Sequence, residues 1–464
     1  MSLDLLNLRG KRALVLGLGV HGGGAGVARF LYEQGAVVTA TDLRPPEKLA
    51  EGLAVLEGMD IRYVLGEHRE EDILGADFIV RNPGVPRESP WLELARSHGV
   101  PVVMEMNLFW ARCPAPITAI TGSKGKSTTT AWLGHILRLG RPDTVVAGNL
   151  RVSALEALPS IQPDTPVVLE LSSWQLESFG ETRIAPHVSC VTNITPDHLN
   201  RYRDMEDYAD SKREILRYQK PDDAAVLNSD DRVVRGFAAD TEARVRWFGS
   251  GPLPGEGVCL SGEELVSTAH PAHPLVSLNE LRLPGRHNVH NAAAAATLAL
   301  SLGVPREQVA EGLRTFAGLP DRMELVAEIQ GVRYVNDTTS SVPTSTVAAL
   351  NSVEGGVVLI AGGASKRVPF GELAEEICRR VSRLVLLEGT ATPELQTEVY
   401  SRCPSLATSL HGDIQSAVEA ACEAARPGDT VLLSPACASF GMFDNEFQRG
   451  ELFRRAVREL AAGG

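Results

Sequence analysis

Short apolar runs recur along the chain, and most are followed by a glycine- or proline-rich turn and a helical pattern. The first run, RALVLGLG, ends at Gly19; the helical pattern GVARFLYEQG follows, and the run AVVTATD ends at Asp42. A strand, a helix and a strand joined by short turns form a βαβ unit of a parallel sheet. The pattern therefore predicts an α/β domain, which we place at residues 1–107.

The middle of the chain repeats this pattern. Helical patterns separate most of the apolar runs PITAIT, PVVLELSS, HVSCVTNI and AAVLNSD. Residues 250–284 are richer in glycine, proline and polar side chains, which predicts antiparallel strands or a loop. The helical stretch HNVHNAAAAATLALSLG follows. We predict a second α/β domain at residues 108–317.

The last part of the chain contains the runs VRYVND, GGVVLIAGG, RLVLLEG and DTVLLSPA. Unbroken apolar runs are typical of strands that are buried on both faces of a parallel sheet. The stretch GLPDRMELV before them is interpreted as a linker between domains. The sequence therefore predicts a third α/β domain at residues 318–464.

Composition narrows the function. The 464 residues carry a net charge of −13, which argues against broad nucleic-acid binding but not against small anionic substrates. There is neither a signal-peptide pattern nor an apolar run of about 18 residues, so no membrane span is expected. Seven scattered cysteines predict neither a disulfide framework nor a zinc site. We expect a cytoplasmic monomer that binds small molecules.

A glycine pattern follows the first predicted strand. Gly17, Gly19 and Gly22 have the G-x-G-x-x-G spacing, which can hold a diphosphate at a helix N-terminus. Asp42 ends the next strand, where an acid that binds a ribose often lies. A plain tight turn between strand and helix is the alternative, and His21 alone is interpreted as a polar loop residue.

The stretch TGSKGKST resembles a phosphate-binding loop, although the residue five before Gly125 is isoleucine rather than glycine. Gly122 and Gly125 would let backbone N–H groups face an anion, and Lys126 would supply charge for the β- and γ-phosphates. The hydroxyl of Ser127 or Thr128 could bind Mg²⁺. Helix capping alone would explain the hydroxyls but not the two lysines beside a glycine turn.

Acidic and imidazole side chains end two of the middle strands. Glu170 ends one strand, and Asp197 and His198 follow another. In a sheet that carries a phosphate loop, such positions can face a bound Mg²⁺. Lys212, on a predicted helix, would by itself be interpreted as a solvated lysine.

Further polar pairs remain ambiguous from their pattern alone. Asn288 and Asn291 lie three residues apart on one predicted helix face, where they could reach a purine or cap the helix. Asn336 and Asp337 follow a strand and could bind a ribose. Lys366 follows another strand and could bind an anion.

Taken together, these stretches resemble the Mur ligase superfamily, the ATP-dependent amide-forming ligases of peptidoglycan precursor synthesis. The stretches that carry the resemblance are TGSKGKST, AGN, LELSSWQLE, TNITPDHLNRY, VLNSDD, GRHNVHNAAAA, GLPDRMELV, VNDTTS, GGASK and LSPACASFGMFDNEFQRG. The short spacing of the phosphate loop is that superfamily's own variant. GLGVHGGG, TDLR and the last of these stretches point to the branch that adds D-glutamate.

The resemblance implies a fold and an activity. The fold would have a Rossmann-like N-terminal domain, a central P-loop ATPase-type domain and a Rossmann-like C-terminal domain. The activity would join D-glutamate to UDP-N-acetylmuramoyl-L-alanine through an acyl phosphate, with release of ADP and phosphate. ATP and two Mg²⁺ sites would be required.

The resemblance also implies roles for individual residues. The UDP-sugar would contact Gly17, Val20, His21, Asp42, Arg44, Asn82 and Asn149. ATP would contact Gly122, Ser123, Lys124, Gly125, Lys126, Ser127, Thr128, Asn288, Asn291, Arg322 and Asp337. Mg²⁺ would be held by Ser127, Glu170, His198 and Lys212, with Lys212 carbamylated by CO₂. The amino acid would contact Ser341, Lys366, Ser439 and Phe447. The catalytic set would be Lys126, Glu170, His198 and Lys212.

The chain departs from the usual family pattern at a few positions. These are Lys124 for Asn, Asp321 for His, Thr339 for Lys, Arg151 for a small residue, and the exchanged order of Glu446 and Phe447. The rival functions are a nicotinamide dehydrogenase, a folate-type polyglutamate ligase, a ligase for another amino acid such as L-glutamate, and a non-catalytic nucleotide-binding module.

Overall fold

The structure is a computed structural model, and it forms two compact units, Met1–Phe316 and Ala317–Gly464. The residues it describes are 4–19, 23–149, 153–197, 201–283, 285–366 and 368–463. Three sheets with flanking helices make up the two units. The α/β prediction is therefore confirmed, while the boundaries at residues 107 and 317 stay predictions.

The first sheet has five parallel strands in the order β3-β2-β1-β4-β5. Its strands are β1 (Arg12–Leu16), β2 (Val37–Asp42), β3 (Arg62–Leu65), β4 (Phe78–Arg81) and β5 (Val102–Val103). Its helices are α1 (Gly23–Glu33), α2 (Ala50–Val55), α3 (Glu70–Gly75), α4 (Pro90–Ser97) and α5 (Glu105–Arg112). The strand order reverses between β1 and β4, and such a switch point is where open α/β sheets bind ligands.

The second sheet has nine strands in the order β14-β13-β12-β11-β10-β9-β6-β8-β7. Its strands are β6 (Ile117–Thr121), β7 (Val145–Gly148), β8 (Val167–Glu170), β9 (Val188–Val191), β10 (Ala224–Asn228), β11 (Arg244–Gly249), β12 (Gly257–Ser261), β13 (Glu264–Ser267) and β14 (Val276–Ser277). The last three pair antiparallel, as expected for residues 250–284. The other pairs are parallel.

Eight helices accompany this sheet in the described part of the chain. They are α6 (Lys126–Arg138), α7 (Ala154–Ala157), α8 (Ser173–Leu176), α9 (Phe179–Thr182), α10 (Met205–Arg217), α11 (Arg232–Gly236), α12 (Arg286–Ser301) and α13 (Arg306–Thr315). The alanine-rich α12 lies against α6, and the small side chains of its buried face allow close approach of the two helices.

The third sheet has six strands in the order β15-β16-β20-β17-β18-β19. Its strands are β15 (Glu324–Ile329), β16 (Val332–Asn336), β17 (Val357–Gly362), β18 (Val381–Leu387), β19 (Thr408–His411) and β20 (Thr430–Leu433). Its helices are α14 (Pro343–Ser352), α15 (Gly371–Arg380), α16 (Thr392–Arg402), α17 (Ile414–Ala424) and α18 (Glu446–Gly463). Every residue of β17 is buried, as its unbroken apolar sequence predicted.

The interpretation of GLPDRMELV as a linker is wrong for its last three residues. Residues from Glu324 onward form β15, which pairs antiparallel with β16. Gln330 and Gly331 join the two strands and both have positive φ, 51° and 77°. This conformation is typical of a two-residue hairpin turn, but Gln is an uncommon residue there, so the sequence signal was weak.

The scattered cysteines predicted no disulfide framework, and they gave no sign of the one disulfide that the structure contains. Cys378 and Cys403 form one, with Cα atoms 5.8 Å apart. The two residues are 25 positions apart and meet only because α15 and α16 are neighbours, which no local spacing reveals. Within the described residues, no helix has both the length and the apolar character to cross a membrane.

Candidate functional site

Three neighbouring parallel strands bring the predicted phosphate and metal residues to one edge of the second sheet. The phosphate loop follows β6, Glu170 ends β8 on one side, and residues 192–197 follow β9 on the other side. The carboxyl ends of parallel strands are where open α/β sheets bind ligands. The structure therefore brings these segments together as the sequence predicted.

The two glycines of the phosphate loop are sterically required. Gly122 has φ +144° and Gly125 has φ +84°, in the region that L side chains rarely adopt. A Cβ at Gly122 would overlap Thr192 Oγ1, and one at Gly125 would overlap Asn291 Oδ1. Gly125 immediately precedes α6, so the loop presents a helix N-terminus, a ready anion site.

The loop is held by the segment that follows β9. Asn193 Oδ1 accepts a hydrogen bond from Lys124 N at 2.9 Å, and Asn193 Nδ2 donates to Lys124 O at 2.9 Å. Ser123 Oγ donates to Thr195 O at 3.0 Å and accepts from Thr195 N at 2.9 Å. Sequence reasoning missed Asn193, although its place directly after a buried strand is a usable signal.

The side chains of Lys126 and Lys124 contact different partners in this loop. Lys126 Nζ donates to the carbonyl oxygens of Gly122 and Ser123 at 2.9 and 3.0 Å, so its charge lies over the loop itself. The Lys124 side chain is 73% exposed, and its Nζ lies 3.4 Å from Asp197 Oδ2. The extra charge of Lys124 therefore pairs with the residue just before His198. Ser127 and Thr128 lie half-buried in the first turn of α6.

Glu170 is 1% exposed, and its two carboxylate oxygens differ. Oε1 accepts a hydrogen bond from Asn149 Nδ2 at 2.8 Å, whereas Oε2 is buried without a hydrogen-bond partner among the described residues. A buried carboxylate oxygen is costly unless a donor or a cation satisfies it. An oxygen donor of this kind fits Mg²⁺.

His198, another of the four predicted metal ligands, lies outside the described residues, as do Val20, His21, Gly22 and Arg151. The described part of the chain contains no group of three or more His, Cys, Asp and Glu side chains placed to hold a metal ion.

Lys212 is not the solvated lysine that its local pattern suggested. Its side chain is 1% exposed, and Nζ lies 3.5 Å from Thr121 Oγ1 and 4.9 Å from the centre of the Tyr208 ring. Burial, and secondly the charge of Lys126, lower the pKa of Lys212 well below its usual range. The residue lies on the buried face of α10 beside Tyr208, so its amine lies next to Thr121, after which the phosphate loop begins.

The two asparagines of α12 lie beside the phosphate loop. Asn291 Oδ1 lies 3.4 Å from Thr129 Oγ1, and Asn291 Nδ2 donates to Asn288 Oδ1 at 3.2 Å. The pair therefore borders the first turns of α6, beside the phosphate loop.

The first sheet brings its predicted residues to the switch point between β1 and β4. Gly17 follows β1, Asn82 follows β4, and a Cβ at Gly17 would lie 3.1 Å from Asn82 Cβ. Asp42 is buried, and its Oδ2 accepts hydrogen bonds from the backbone of Leu18 and Gly19 at 3.0 and 3.1 Å. Asp42 Oδ1 accepts from Arg44 N at 2.9 Å. The carboxylate thus organises the glycine loop.

In the unit Ala317–Gly464, two of the predicted amino-acid residues contact each other. Lys366 Nζ donates to Ser341 Oγ at 2.7 Å. An antiparallel bridge between Ala364 and Ala438 joins the segment that contains Lys366 to the segment that contains the buried Ser439. Phe447 lies in the first turn of α18.

Asp337, at the end of β16 in the same unit, is buried. Its Oδ2 accepts a hydrogen bond from Ser434 Oγ at 2.8 Å, and its Oδ1 accepts from Met323 N at 3.3 Å. Burial raises the pKa of Asp337 to about 6, against the effects of the two serines nearby and of Arg322.

The structure accounts for the unusual Asp321. Its Oδ1 accepts hydrogen bonds from Asn336 Nδ2 at 3.0 Å and from Arg454 at 2.9 Å. Thr339 Oγ1 donates to the Asp321 carbonyl at 2.9 Å. Two residues that depart from the family pattern therefore contact each other, and Asp321 forms a buried ion pair with α18.

Comparison with known proteins gives the same family for all three parts of the chain. Three family models match: Mur ligase MurD-like, N-terminal domain over residues 11–104; Mur ligase middle domain over residues 120–299; and Mur ligase, glutamate ligase domain over residues 321–437.

Two relatives bear the name UDP-N-acetylmuramoylalanine–D-glutamate ligase. The protein from Roseiflexus sp. (strain RS-1) is 50% identical over 466 residues, which cover 98% of this chain and 100% of the relative. The protein from Symbiobacterium thermophilum is 38% identical over 454 residues, which cover 97% of this chain and 98% of the relative.

Solved structures show the same fold at lower identity. UDP-N-acetylmuramate-alanine ligase from Thermotoga maritima has a TM-score of 0.57 and 20% identity, covering 98% of this chain and 100% of its own. MurF from Acinetobacter baumannii has a TM-score of 0.57 and 17% identity, covering 98% of this chain and 92% of its own.

Proposed function

Because the chain belongs to the Mur ligase family, we propose that it joins D-glutamate to UDP-N-acetylmuramoyl-L-alanine at the expense of ATP, in peptidoglycan precursor synthesis. One observation of the structure carries the proposal. A phosphate loop, a buried carboxylate oxygen of Glu170 without a described partner, and the buried amine of Lys212 meet at one sheet edge. A dehydrogenase would have no use for this arrangement.

The reaction needs ATP because a carboxylate is a poor acceptor for an amine. The alanyl carboxylate oxygen of the sugar nucleotide attacks the γ-phosphorus, the bond from γ-phosphorus to the bridging oxygen breaks, and ADP leaves. The neutral amine of glutamate then attacks the acyl carbon, and phosphate leaves with the electron pair of the C–O bond while the nitrogen loses a proton. Lys126 offsets the charge that develops on the transferred phosphoryl group.

Mg²⁺ bound to the β- and γ-phosphates would neutralise part of their charge. We assign its ligands to Ser127 and Glu170, and a second Mg²⁺ to His198 and Lys212. Asn288, Asn291, Arg322 and Asp337 are assigned to the rest of ATP. The Glu170 Oε2 atom supports the first assignment.

Lys212 is proposed to carry a carbamate. A lysine reacts with CO₂ only as the neutral amine, and the burial of Lys212 favours that form. Addition of the nitrogen to the carbon of CO₂, with loss of one proton, converts the amine into an anionic oxygen ligand. If this is correct, Lys212→Ala loses activity and short-chain carboxylic acids restore part of it. No restoration in a folded variant would contradict the carbamate.

The sugar nucleotide is assigned to Gly17, Val20, His21, Asp42, Arg44, Asn82 and Asn149. The ammonium of Lys366 and the hydroxyls of Ser341 and Ser439 suit the carboxylates of an amino acid, and Phe447 is assigned to the same ligand. We place the reaction in the cytoplasm, where ATP is supplied, and assign the enzyme as a monomer.

Phosphate release tests the function. The protein is incubated with ATP, Mg²⁺ and UDP-N-acetylmuramoyl-L-alanine, and D-glutamate, L-glutamate or another amino acid is added in turn. Release that requires D-glutamate is expected. Release with L-glutamate alone would identify a different Mur-type ligase, and nucleotide binding without any release would identify a non-catalytic module.

A further inference from the structure

Glu177 lies just after α8, and its carboxylate is enclosed by three donor side chains. Arg201 Nε lies 3.4 Å from Oε1 and Arg201 Nη2 lies 3.3 Å from Oε2, while Tyr202 Oη donates to Oε1 at 3.1 Å. Arg81 donates to Oε2. The side chains of Arg81 and Glu177 are both 4% exposed. A single carboxylate therefore pairs with two guanidinium groups in a largely buried environment, where each contact is strong.

Glu177 and its three donors lie in segments that also contain predicted ligand-binding residues. Arg81 is the last residue of β4 and directly precedes Asn82, which is assigned to the sugar nucleotide. The short helix α8 lies between Glu170 and Glu177, and two residues separate His198 from Arg201 in the sequence. The Glu177 carboxylate thus ties the sugar-nucleotide loop of the first sheet to two segments that we assign to Mg²⁺.

A second line of contacts runs from the same loop of the first sheet to the phosphate loop. Arg87 forms an ion pair with Asp207 of α10, and its Cζ lies 5.5 Å from the centre of the Tyr202 ring. The rings of Tyr202 and Tyr208 are 5.3 Å apart, and Tyr208 OH lies 3.0 Å from Ser123 Oγ.

The Arg87–Asp207 pair is charged throughout the working pH range. The hydrogen bond from Arg87 is the largest influence and holds the pKa of Asp207 at about 2. Both lines of contact lie inside the single compact unit Met1–Phe316.

We propose that Glu177 is a positioning residue, which fixes the acceptor carboxylate of the bound sugar nucleotide relative to the phosphate loop without touching either substrate. The inference rests on the proposed ligase function. In-line phosphoryl transfer requires close alignment of the attacking oxygen and the phosphorus, and a misplacement of about 1 Å costs roughly 10²-fold in rate. Each ligand still has its own loop, so its separate binding does not depend on Glu177.

The chain provides a matched control. Arg96 of α4 and Glu181 of α9 also join the first sheet's layer to the second, with NH2 and Oε1 3.0 Å apart. Their side chains are 45% and 43% exposed, and neither residue belongs to an assigned site. An exposed pair of this kind has little influence on the geometry around it.

The experiment compares Glu177→Gln with Glu181→Gln at a temperature below both melting midpoints. Calorimetry gives the dissociation constants for UDP-N-acetylmuramoyl-L-alanine and for ADP separately, and phosphate release gives kcat and KM. For Glu177→Gln we expect both dissociation constants within about threefold of the unaltered protein and kcat at least tenfold lower. For Glu181→Gln we expect no change in any of them.

Three results would overturn the inference. They are an unchanged kcat in Glu177→Gln, an equal loss of kcat in Glu181→Gln, and loss of sugar-nucleotide binding in a folded Glu177→Gln, which would make Glu177 a binding residue. If Glu177→Gln does not fold, Arg201→Lys carries the same test, because lysine keeps the charge but cannot make both hydrogen bonds. Absence of turnover by the unaltered protein would refute the proposed function and this inference with it.

Discussion

At the scale of single residues, the phosphate loop shows why its short spacing works. Gly122 and Gly125 have positive φ and also have neighbours that leave no room for a Cβ, so the loop needs glycine for two independent reasons. The shorter loop is anchored from outside by Asn193, which pairs with both backbone groups of Lys124. Contacts with the segment that follows β9 thus fix a backbone conformation that a longer glycine loop would maintain by itself.

We predict that Gly125→Ala abolishes phosphate release. The positive φ costs about 1–2 kcal/mol for an L residue, and the new methyl group displaces Asn291 from the nucleotide site. Gly58→Ala is the control, because Gly58 has φ +80° but no atom within 4 Å of the place that a Cβ would occupy. Thermal melting and nucleotide titration separate the two effects. Equal activity losses in both variants would show that backbone strain alone is responsible.

The raised pKa of the buried Asp337 predicts how the stability of the folded chain depends on pH. Its pKa rises from the usual 3.8 to about 6 in the folded chain, so the native state binds more protons than the unfolded state between those values. Stability contributed by this residue is therefore present at low pH and is lost as the pH rises toward 6.

Asp337→Asn should remove this loss of stability with rising pH. At pH 7.5 the variant should be more stable toward urea by up to about 3 kcal/mol, and the difference should shrink as the pH falls toward 4. ATP affinity should fall if Asp337 contacts the nucleotide. A stability difference that does not depend on pH would contradict the raised pKa.

At the scale of elements, the disulfide joins α15 to the end of α16. Closing a chain segment of 25 residues restricts the unfolded state, which is worth about 3.5 kcal/mol in the chain-entropy model. We expect that Cys378→Ala with Cys403→Ala lowers the urea stability of the C-terminal unit by this amount without reductant. With dithiothreitol the variant and the unaltered protein should become equally stable. Equal stability in both conditions would mean that the bridge does not form in solution.

Most helices and strands could be predicted from local sequence patterns. The predictions that failed concern residues whose environment is set by tertiary contacts. The buried strands β6, β8, β17 and β20 follow from unbroken apolar runs, and the loop before α6 follows from its glycines and lysines. The local pattern around Lys212 was misleading because a lysine on a helix is usually solvated; only the packing of α10 against the phosphate loop buries it.

The pairing of the Glu177 carboxylate with Arg81, Arg201 and Tyr202 could not be predicted at all from the sequence. Arg81 and Glu177 are 96 residues apart, and neither has a local pattern that distinguishes it from a surface charge. Burial and pairing of charges depend on tertiary contacts, which the order of apolar and polar residues does not encode.

At the scale of the whole molecule, the assigned ligands are divided between the two units. All residues assigned to the sugar nucleotide belong to Met1–Phe316, and all those assigned to the amino acid belong to Ala317–Gly464. Each unit has its own hydrophobic core and its own sheet edges, so each can respond to its ligand separately.

Hydrogen exchange tests this division. UDP-N-acetylmuramoyl-L-alanine alone should slow amide exchange around Gly17 and Asn82, because a ligand stabilises the state that binds it, by about 2.7 kcal/mol at a concentration of 100 Kd. Exchange around Ser341 and Lys366 should not change. Protection of both regions by the sugar nucleotide alone would show that the assignment of ligands to units is wrong.

The shortness of some outer strands has a consequence for the behaviour of the protein at high concentration. The first sheet ends on β5 and the second on β14, and each of these strands has only two residues. An outer strand exposes unpaired backbone groups to which another chain can add, and a strand of two residues offers a very short template. On these two sides, concentrated solutions and newly made chains are therefore protected from edge-to-edge aggregation, the first step toward fibrils.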